Sequence, residues 1–573
     1  MKGKFKWTFI ASLILMLALF LAACGGGDGS EGDGGEEAGG DEGTSSEGDS
    51  GEQEEKKLAE EQVLNFVRGS DLPSVDISMA TDTTSAEVIQ RTHPGLITIK
   101  NKKAVPEMAA EMPEVNEDGT VYTFKLRDTK WSNGDPLTAE DFVFAWQRLI
   151  DPETASQYAY IMGVANVKNA EKIMDDKSDI YGQVEKLGIK AVDEKTIEVT
   201  LESPIPYFAS LMAFNKFGPI NKSFYEEQGE NFAKEPENLL TIGPYKLTEW
   251  NHGSGWTLEK NPDYYAADEV NITKATYKVV KEQNTQLTLY KDDEIQVDGL
   301  VSEQVNAWKD KPDFNQVPGN CIFWWQLNAN NVPEFQNEKV RKAMSMVIDR
   351  ESMVTVLLNN GSMAAQYVVP KDFATGPNGE DFSEGREDYL PGGVEEAQQL
   401  WKEAKEELGF ETLEVEYATT DGSSAAEMGE YMANQLEQLE GLKVTIKKLP
   451  WNAYLEYTEN DNQDIGAGSG WCPDFKDPET FLGYWHTDSP YNDLGIEMDD
   501  FDKLMDEARS LATKPEERWE VLKEAEKVLI ENAYTIPTYQ NGSAILVKPY
   551  VEGIVFQNFG IEQYFREAKV YEH

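Results

Sequence analysis

The amino-terminal 61 residues of this chain cannot contribute to a packed core, so folding has to be explained by residues 62–573. Residues 25–55, "GGGDGSEGDGGEEAGGDEGTSSEGDSGEQEE", contain no apolar residue larger than Ala and only negative charges. Burial in such a segment cannot offset the loss of chain entropy, and its Gly, Ser and like charges keep it flexible and extended. We predict a disordered tether over residues 24–61, ahead of a folded body.

The residues before the tether have the pattern of an export signal. Lys2, Lys4 and Lys6 precede one apolar run that ends in Leu21-Ala22-Ala23-Cys24, which indicates a signal peptide over residues 1–23. The last four residues resemble a bacterial lipobox, which implies that Cys24 is lipidated and becomes the mature amino terminus, with enough acyl chains for stable anchoring. The alternative is a plain signal peptide in which Cys24 is incidental. The long tether is typical of the outer face of a Gram-positive cell membrane.

Charge and length limit the function. The chain of 573 residues has a net charge of −52, which repels nucleic acids and anionic headgroups and makes nucleic acid an unexpected partner. The length predicts about two to four domains. No second apolar run is long enough to cross a bilayer.

The body alternates between the two hydrophobic periods, which predicts a mixed α/β architecture. Thr138 and Asp141 have the spacing of a capping box, and so do Thr513 and Glu516. The predicted strands are 121–127, 196–201 and 443–450, with a hairpin over 243–261; the predicted helices are 138–150, 337–350, 395–409, 423–441 and 513–533.

If Cys24 carries lipid, Cys321 and Cys472 remain. Outside the membrane a pair of cysteines usually forms a disulfide, which in this case would close a loop of about 150 residues and contribute about 4–5 kcal/mol by loop entropy. The alternative is two free buried thiols.

The sequence contains no recognisable catalytic motif. His93, His252, His486 and His573 lack the H-E-x-x-H spacing of a zinc site. No P-loop is present, and Cys321 and Cys472 lack C-x-x-C spacing. We therefore predict a protein that is not an enzyme and that uses no metal or other cofactor. A secreted lipoprotein hydrolase remains the alternative of another class.

Five stretches identify a family together: 122–156, 241–265, 340–350, 468–482 and 533–554. They resemble the oligopeptide-binding proteins of ABC importers, in the peptide/nickel-type extracellular solute-binding family. The resemblance implies a periplasmic-binding-protein-like fold with two hinged lobes and an additional domain. The implied segments are lobe I over 62–93, 223–320 and 541–573, domain II over 94–222, and lobe III over 321–540.

The resemblance also implies a binding site. It places Asp474 where the family receives the ammonium of a peptide, and it pairs Cys472 with Cys321. Further positions match contacts of the family: Trp471 and Trp451 lie near side-chain pockets, and Tyr158, Thr83 and Thr84 lie near the peptide backbone. The alternatives are that Asp474 is a turn residue, and that Trp471, Trp451 and Tyr158 are core residues.

The implied function is that of a lipid-anchored, monomeric receptor. It would bind extended peptides largely through their backbone and deliver them to an ABC permease, with ATP hydrolysed by separate subunits. The same fold could instead bind a nickel chelate, haem or a sugar. Residues 464–470 and 418–428 lack the basic residue with which some members grip a peptide carboxylate. Either the carboxylate is held elsewhere or longer peptides extend freely, so no peptide length is predicted.

Overall fold

The computed structural model describes residues 56–100, 103–466, 470–489, 491–492, 494–556 and 563–573, without the side chains of residues 423, 424, 451, 452, 455 and 459. The predicted signal peptide, Cys24 and residues 24–55 of the tether lie outside the described residues. Residues Lys56–His573 form one compact unit. The predicted end of the tether at residue 61 is therefore wrong, because residues 56–61 belong to the folded body, where the Ala59 N–H donates to the Val570 carbonyl oxygen at 2.9 Å. In the part of the chain described, no helix combines the length and the apolar character needed to cross a membrane.

Sheet 1 brings the start of the body next to residues far along the chain. Its four strands follow the order Val63–Arg68, Lys274–Val279, Gly255–Lys260 and Tyr245–Asn251. The first pair is parallel and the other two are antiparallel. The last two strands form the hairpin predicted over 243–261.

Sheet 2 is the largest sheet, with eight strands. Its main path follows the order Val297–Leu300, Ile536–Val547, Phe314–Leu327, Ile465–Gly466, Leu413–Thr420 and Leu442–Leu449. Met363–Ala364 pairs with Ile536–Val547, and Gly470–Trp471 pairs with Phe314–Leu327. The strand predicted over 443–450 is therefore present.

Two long strands of sheet 2 carry the predicted boundaries between lobes I and III. The boundaries at 320/321 and 540/541 fall opposite each other, since Pro318 pairs with Gly542 and Ile322 pairs with Gln540, with a register shift between the two pairs. A Cβ atom at Gly542 would lie 2.3 Å from the carbonyl carbon of Gly361, so only glycine fits this crossing. The domain boundaries themselves stay predictions.

Sheet 3 is antiparallel, with the order Glu114–Val115, Val121–Lys125, Thr196–Thr200 and Ile189–Asp193. Tyr122 and Phe124 are buried, as the alternation predicts. Asp141 accepts a hydrogen bond from the Thr138 backbone N–H at 2.9 Å, which closes the predicted capping box. Three two-stranded ribbons complete the strands: Ile97–Lys100 with Lys103–Pro106, Val551–Glu552 with Lys569–Val570, and Val555–Phe556 with Gln563–Tyr564.

The helices cover the sheets. The α-helices are Thr83–Thr92, Ala139–Ile150, Ile161–Val164, Ala170–Met174, Phe208–Leu211, Lys222–Gln228, Gln283–Lys291, Ser302–Trp308, Glu338–Met346, Arg350–Ser352, Val394–Leu408, Ser423–Leu436, Trp451–Glu459, Glu479–Leu482, Asp499–Ser510 and Pro515–Glu531. The 3₁₀ turns are Val184–Lys186, Asn215–Phe217, Gly229–Asn231, Pro236–Asn238, Ala267–Glu269, Pro333–Gln336 and Gly483–Trp485, and a π-helical turn spans Met353–Leu358. The prediction of a mixed α/β fold is confirmed.

Two predicted helix ends are wrong. The helix predicted to end at Gly441 stops at Leu436, because Leu439 and Leu442 are buried and the chain has to turn to bury them. Gly441 serves that turn, with φ of +87°. The helix predicted over 337–350 stops at Met346, although the predicted inward residues Val340, Met344, Val347 and Ile348 are all buried.

The capping box predicted from Thr513 and Glu516 is also wrong. The helix Pro515–Glu531 is capped by Lys514, and no side chain accepts a hydrogen bond at this cap. Proline at the first helical position has a φ suited to a helix and no N–H that needs a partner. Pro515 therefore sets the start one residue beyond Thr513.

The buried apolar residues form two large clusters that divide the chain. The first runs mainly from Leu64 to Tyr277 and the second from Ile322 to Ile536. Phe475 is an exception, because it belongs to the first cluster although its sequence neighbours lie in the second region. The loop around Phe475 therefore joins the two halves of the molecule.

Candidate functional site

The candidate site is built on the loop from Trp471 to Leu482. The loop begins where Gly470–Trp471 pairs with Ile322 and Phe323 of the long strand Phe314–Leu327. The Sγ atoms of Cys472 and Cys321 are joined in a disulfide, with a Cα–Cα distance of 4.1 Å. The bond ties the start of the loop to the strand that crosses between the two predicted lobes.

The other end of the loop is held by two arginines, of which Arg518 is buried. Arg518 donates to both carboxylate oxygens of Asp477, at 2.7 and 2.8 Å, and to Glu479 at 2.9 Å. Arg509 donates to Glu479 at 2.8 Å. Burial acts to raise the pKa of Glu479, but the two guanidinium groups hold that pKa below its ordinary value. Each carboxylate at this end therefore has a charged partner, as a buried charge requires.

Asp474 lies between these two anchors and is almost fully buried, with 6% of its surface exposed. Its backbone N–H donates to Thr480 Oγ1 at 3.0 Å, which orients the residue. Its carboxylate accepts a hydrogen bond from the Tyr160 hydroxyl at 3.5 Å. Burial raises the pKa of Asp474 to about 7, while Lys216 and the Tyr160 hydrogen bond act in the opposite direction. The result is a desolvated carboxylate with few partners for its negative charge.

Aromatic rings surround the carboxylate. Tyr158 stacks on Tyr160 at 5.7 Å, and Tyr160 meets Tyr491 edge-on at 5.4 Å between ring centroids. Trp471 contacts Tyr491 at 5.1 Å and Tyr484 at 5.0 Å. Trp471 Nε1 is buried without a hydrogen-bond partner among the described residues. The structure thus brings Asp474, Trp471 and Tyr158 together, as the sequence predicts.

Lys216 is the residue at this site that sequence reasoning missed. Only 2% of its surface is exposed. Its Nζ donates to the carbonyl oxygen of Ile77 at 3.0 Å and to that of Ala80, and it lies 4.8 Å from the centroid of the Tyr158 ring. Burial lowers the pKa of Lys216 to about 8, although nearby carboxylates including Asp474 act to raise it. No local motif marks it, because its neighbours come from distant parts of the chain.

The remaining predicted positions are less central. Thr83 and Thr84 begin the helix Thr83–Thr92, whose cap Asp82 accepts a hydrogen bond from the Ser85 N–H at 2.9 Å. Within the described structure, neither threonine side chain forms a hydrogen bond to the Asp474 loop. The backbone of Trp451 begins the helix Trp451–Glu459, but its side chain lies outside the described residues.

The site lies at a junction between two predicted segments. Asp474 and Phe475 come from residues 321–540, whereas Tyr160, Tyr207 and Lys216 come from 94–222. Phe475 is 3% exposed and stacks on Tyr207 at 4.4 Å between ring centroids. Where side chains are described, no group of three or more His, Cys, Asp or Glu residues could hold a metal ion. The arrangement can desolvate a cation and bind it through Asp474.

Comparisons with known proteins agree with this architecture. Residues 103–493 match the family model described as "Bacterial extracellular solute-binding proteins, family 5 Middle". The chain is 30% identical over 580 residues to the oligopeptide-binding protein OppA of Bacillus subtilis, covering 99% of each chain.

Solved structures give the same result. Listeria monocytogenes OppA bound to peptide has a TM-score of 0.82 and 34% identity, covering 90% of this chain and 100% of that one. The substrate-binding domain of an oligopeptide ABC transporter from Bacillus anthracis has a TM-score of 0.82 and 36% identity, with the same coverage. These likenesses confirm the predicted periplasmic-binding-protein-like fold. The chain belongs to the family 5 bacterial extracellular solute-binding proteins, among which its resemblance is to the oligopeptide-binding members.

Proposed function

We propose that this chain is an extracytoplasmic receptor that binds oligopeptides and delivers them to the permease of an ABC transporter. Its role would be capture and delivery, with ATP hydrolysed by separate subunits of the transporter. The related proteins are oligopeptide-binding proteins, which supports this role, and so does the position of the site between two halves of the molecule.

The observation that carries the proposal is the buried carboxylate of Asp474. Among the described residues it accepts one hydrogen bond from a side chain, at 3.5 Å, whereas an ionised carboxylate can accept about four. The ammonium at the start of a peptide would supply both the missing hydrogen bonds and a positive charge. Charge-assisted hydrogen bonds of this kind are roughly twice as strong as neutral ones.

The aromatic wall beside Asp474 would receive the first side chains of the peptide. We assign this role to Trp471, whose Nε1 is available as a donor to a peptide carbonyl. Trp451, Tyr158, Thr83 and Thr84 complete the proposed contacts, with Tyr158 stacked on Tyr160, whose hydroxyl donates to Asp474.

Closure around the peptide would use the predicted segments. Lobe I (62–93, 223–320 and 541–573) and domain II (94–222) would move against lobe III (321–540) about the two strands that cross between them. Such a hinge motion buries the ligand and presents a closed form that a transporter can distinguish. The disulfide between Cys321 and Cys472 would keep the Asp474 loop in place during this motion.

We further propose that lipidated Cys24 anchors a monomer to the outer face of the cell membrane after removal of residues 1–23. Residues 24–55 of the predicted tether, which precede the compact unit Lys56–His573, would then give the receptor reach to its permease. Metabolic labelling with an azido fatty acid tests the anchor, since Cys24→Ser should abolish the labelled band.

Asp474→Asn tests the amine contact. Binding of a free-amine peptide should weaken at least tenfold, while binding of its N-acetylated form should change little. Asp298→Asn is the matched control, because Asp298 is a second buried carboxyl group with its pKa raised by burial to about 7, but it lies on the strand Val297–Leu300. Calorimetry giving equal losses for both peptides would contradict the role of Asp474.

Native mass spectrometry of the purified protein tests the ligand class. A ladder of masses that match short peptides supports the proposal. A single nickel chelate, haem or sugar would contradict it and favour the alternative ligand.

A further inference from the structure

Lys216 places a buried ammonium beside the proposed peptide site. It lies on the short 3₁₀ turn Asn215–Phe217. Its ammonium has three N–H groups, and the carbonyl groups of Ile77 and Ala80 accept two of them. One N–H therefore remains for a ligand.

This ammonium is unusual because it has no carboxylate within ion-pair distance among the described residues. Burying a charge without a counter-ion is costly, so a lysine that only supported the fold would be paired. The nearby Asp76 already has a charged partner, because both of its oxygens accept hydrogen bonds from Arg148 at 2.7 Å. The ammonium of Lys216 could therefore form an ion pair with a ligand.

The position of Lys216 relates it to the proposed amine site. Its Nζ lies 4.8 Å from the Tyr158 ring, Tyr158 stacks on Tyr160, and the Tyr160 hydroxyl donates to Asp474. The cation and the carboxylate are close enough for each to shift the pKa of the other. A peptide amine bound at Asp474 would place its first side chain in the field of Lys216.

The charges around the site leave room for one ligand cation. Asp76, Asp82 and Asp474 are the carboxylates that act on Lys216, and Arg148 and Lys216 are the neighbouring cations. Asp76 is paired with Arg148, which leaves Asp474 as the carboxylate that a single ligand ammonium would neutralise. A second positive charge on the first residue would be repelled, whereas a carboxylate there could accept the remaining N–H of Lys216.

We propose that Lys216 is a specificity-determining residue that makes this site prefer peptides with an acidic first residue and reject those with a basic one. The inference rests on the proposed function and adds a substrate class to it. Two charges about 6–8 Å apart in a partly desolvated site interact strongly enough to change affinity tenfold or more.

The test uses five-residue peptides that differ only in the first residue, which is Asp, Asn or Lys, followed by four Ala residues. Dissociation constants are measured by calorimetry at pH 7 with the full protein. Wild type should bind the Asp peptide at least tenfold more tightly than the Asn peptide, and the Lys peptide most weakly. The wild-type ratio tests the inference even if a variant fails to fold.

For Lys216→Gln, the ratio of the dissociation constants of the Asn and Asp peptides should come close to one. The substitution removes the charge but keeps amide donors for the carbonyl groups of Ile77 and Ala80. Lys216→Arg should keep the wild-type preference. Lys222→Gln is the matched control for the loss of one positive charge, since Lys222 is exposed in the same region, and it should leave the ratio unchanged.

Two outcomes would overturn the inference, and they are distinguishable. If wild type binds all three peptides equally, or if Lys216→Gln keeps the preference, Lys216 does not select the ligand and the proposed function still stands. If wild type binds none of these peptides and none co-purify, the proposed function fails and the role of Lys216 fails with it.

Discussion

The loop from Trp471 to Leu482 contains two buried aspartates, Asp474 and Asp477, whose carboxylates differ in how completely they are hydrogen-bonded. Asp474 and Asp477 are 6% and 8% exposed. Asp477 accepts two hydrogen bonds from Arg518 and a third from the Glu479 backbone N–H at 3.0 Å. Asp474 accepts one weak hydrogen bond, from Tyr160 at 3.5 Å.

The difference separates a structural carboxylate from one that is available for binding. A fully bonded carboxylate fixes the loop, because its partner is supplied by the fold itself. A carboxylate with unused acceptor sites costs stability until a ligand arrives. Rigid support next to an unsatisfied group is how proteins hold a binding site ready for its ligand.

The largest expected effect is a loss of stability on removing Arg518, the partner of the fully hydrogen-bonded carboxylate of Asp477. Arg518→Met should lower the free energy of unfolding by about 3–5 kcal/mol, because it leaves the buried carboxylate of Asp477 without its charged partner and removes one of the two arginine partners of Glu479. Urea unfolding monitored by Trp fluorescence measures the loss. Arg386→Met is the control, since it breaks the buried pair with Glu526 away from the loop. Both variants should lose stability, but only Arg518→Met should reduce the preference for free-amine peptides; a loss under about 1 kcal/mol would contradict the comparison.

The second effect is a gain in stability, and its size depends on pH. The pKa of Asp474 is raised in the folded state to about 7 from its ordinary 3.8, so its ionised form destabilises the ligand-free protein, and stability falls as pH rises from about 4 to 7. Asp474→Asn removes this cost. It should match wild type near pH 4 and be more stable by about 2–4 kcal/mol at pH 8.

Unfolding experiments between pH 4 and pH 8 check this prediction. Asp477→Asn serves as its counterpart in the same loop and should destabilise the protein at pH 8, because it removes half of the pairing with Arg518. If Asp474→Asn also destabilises the ligand-free protein at pH 8, the two carboxylates do not differ as described.

The smallest expected effect concerns Phe475, which lies between the two carboxylates. Phe475→Leu should weaken peptide binding by up to about tenfold, because an aromatic pair contributes about 0.5–1.5 kcal/mol beyond the area it buries. Tyr207→Phe keeps the ring that stacks on Phe475 and should bind peptide as wild type does. Calorimetry with one peptide and both variants makes the measurement, and an equal change in both would exclude a role for the stack.

Local patterns predicted much of the fold. Alternating residues identified the strand Val121–Lys125, and the 3.6-residue period placed the helix Ala139–Ile150, because these signals depend only on which face is buried. Where a helix ended for a non-local reason, the prediction failed: the helix Ser423–Leu436 stops short of Gly441 so that Leu439 and Leu442 can reach the core.

The residues of the candidate site also divide into those that the sequence predicts and those that it does not. Family resemblance pointed to Asp474, Trp471 and Tyr158, and the structure brings these three together. The family resemblance could not indicate Lys216, Tyr160 or Tyr491, because each acquires its role only when distant segments of the chain meet across the junction. Charge pairing is just as hard to read from sequence, since nothing near Asp477 in the chain identifies Arg518, which lies on the helix Pro515–Glu531, as its partner.

The two long strands of sheet 2 have a mechanical consequence. Phe314–Leu327 and Ile536–Val547 pass side by side through the proposed boundary and are hydrogen-bonded to each other on both sides of it. Two antiparallel strands bonded in this way resist torsion and shear but allow bending about one line. We expect the proposed lobes to open by rotation about a single axis. A membrane partner would then respond to the angle between the lobes and not to a general loss of order in the receptor.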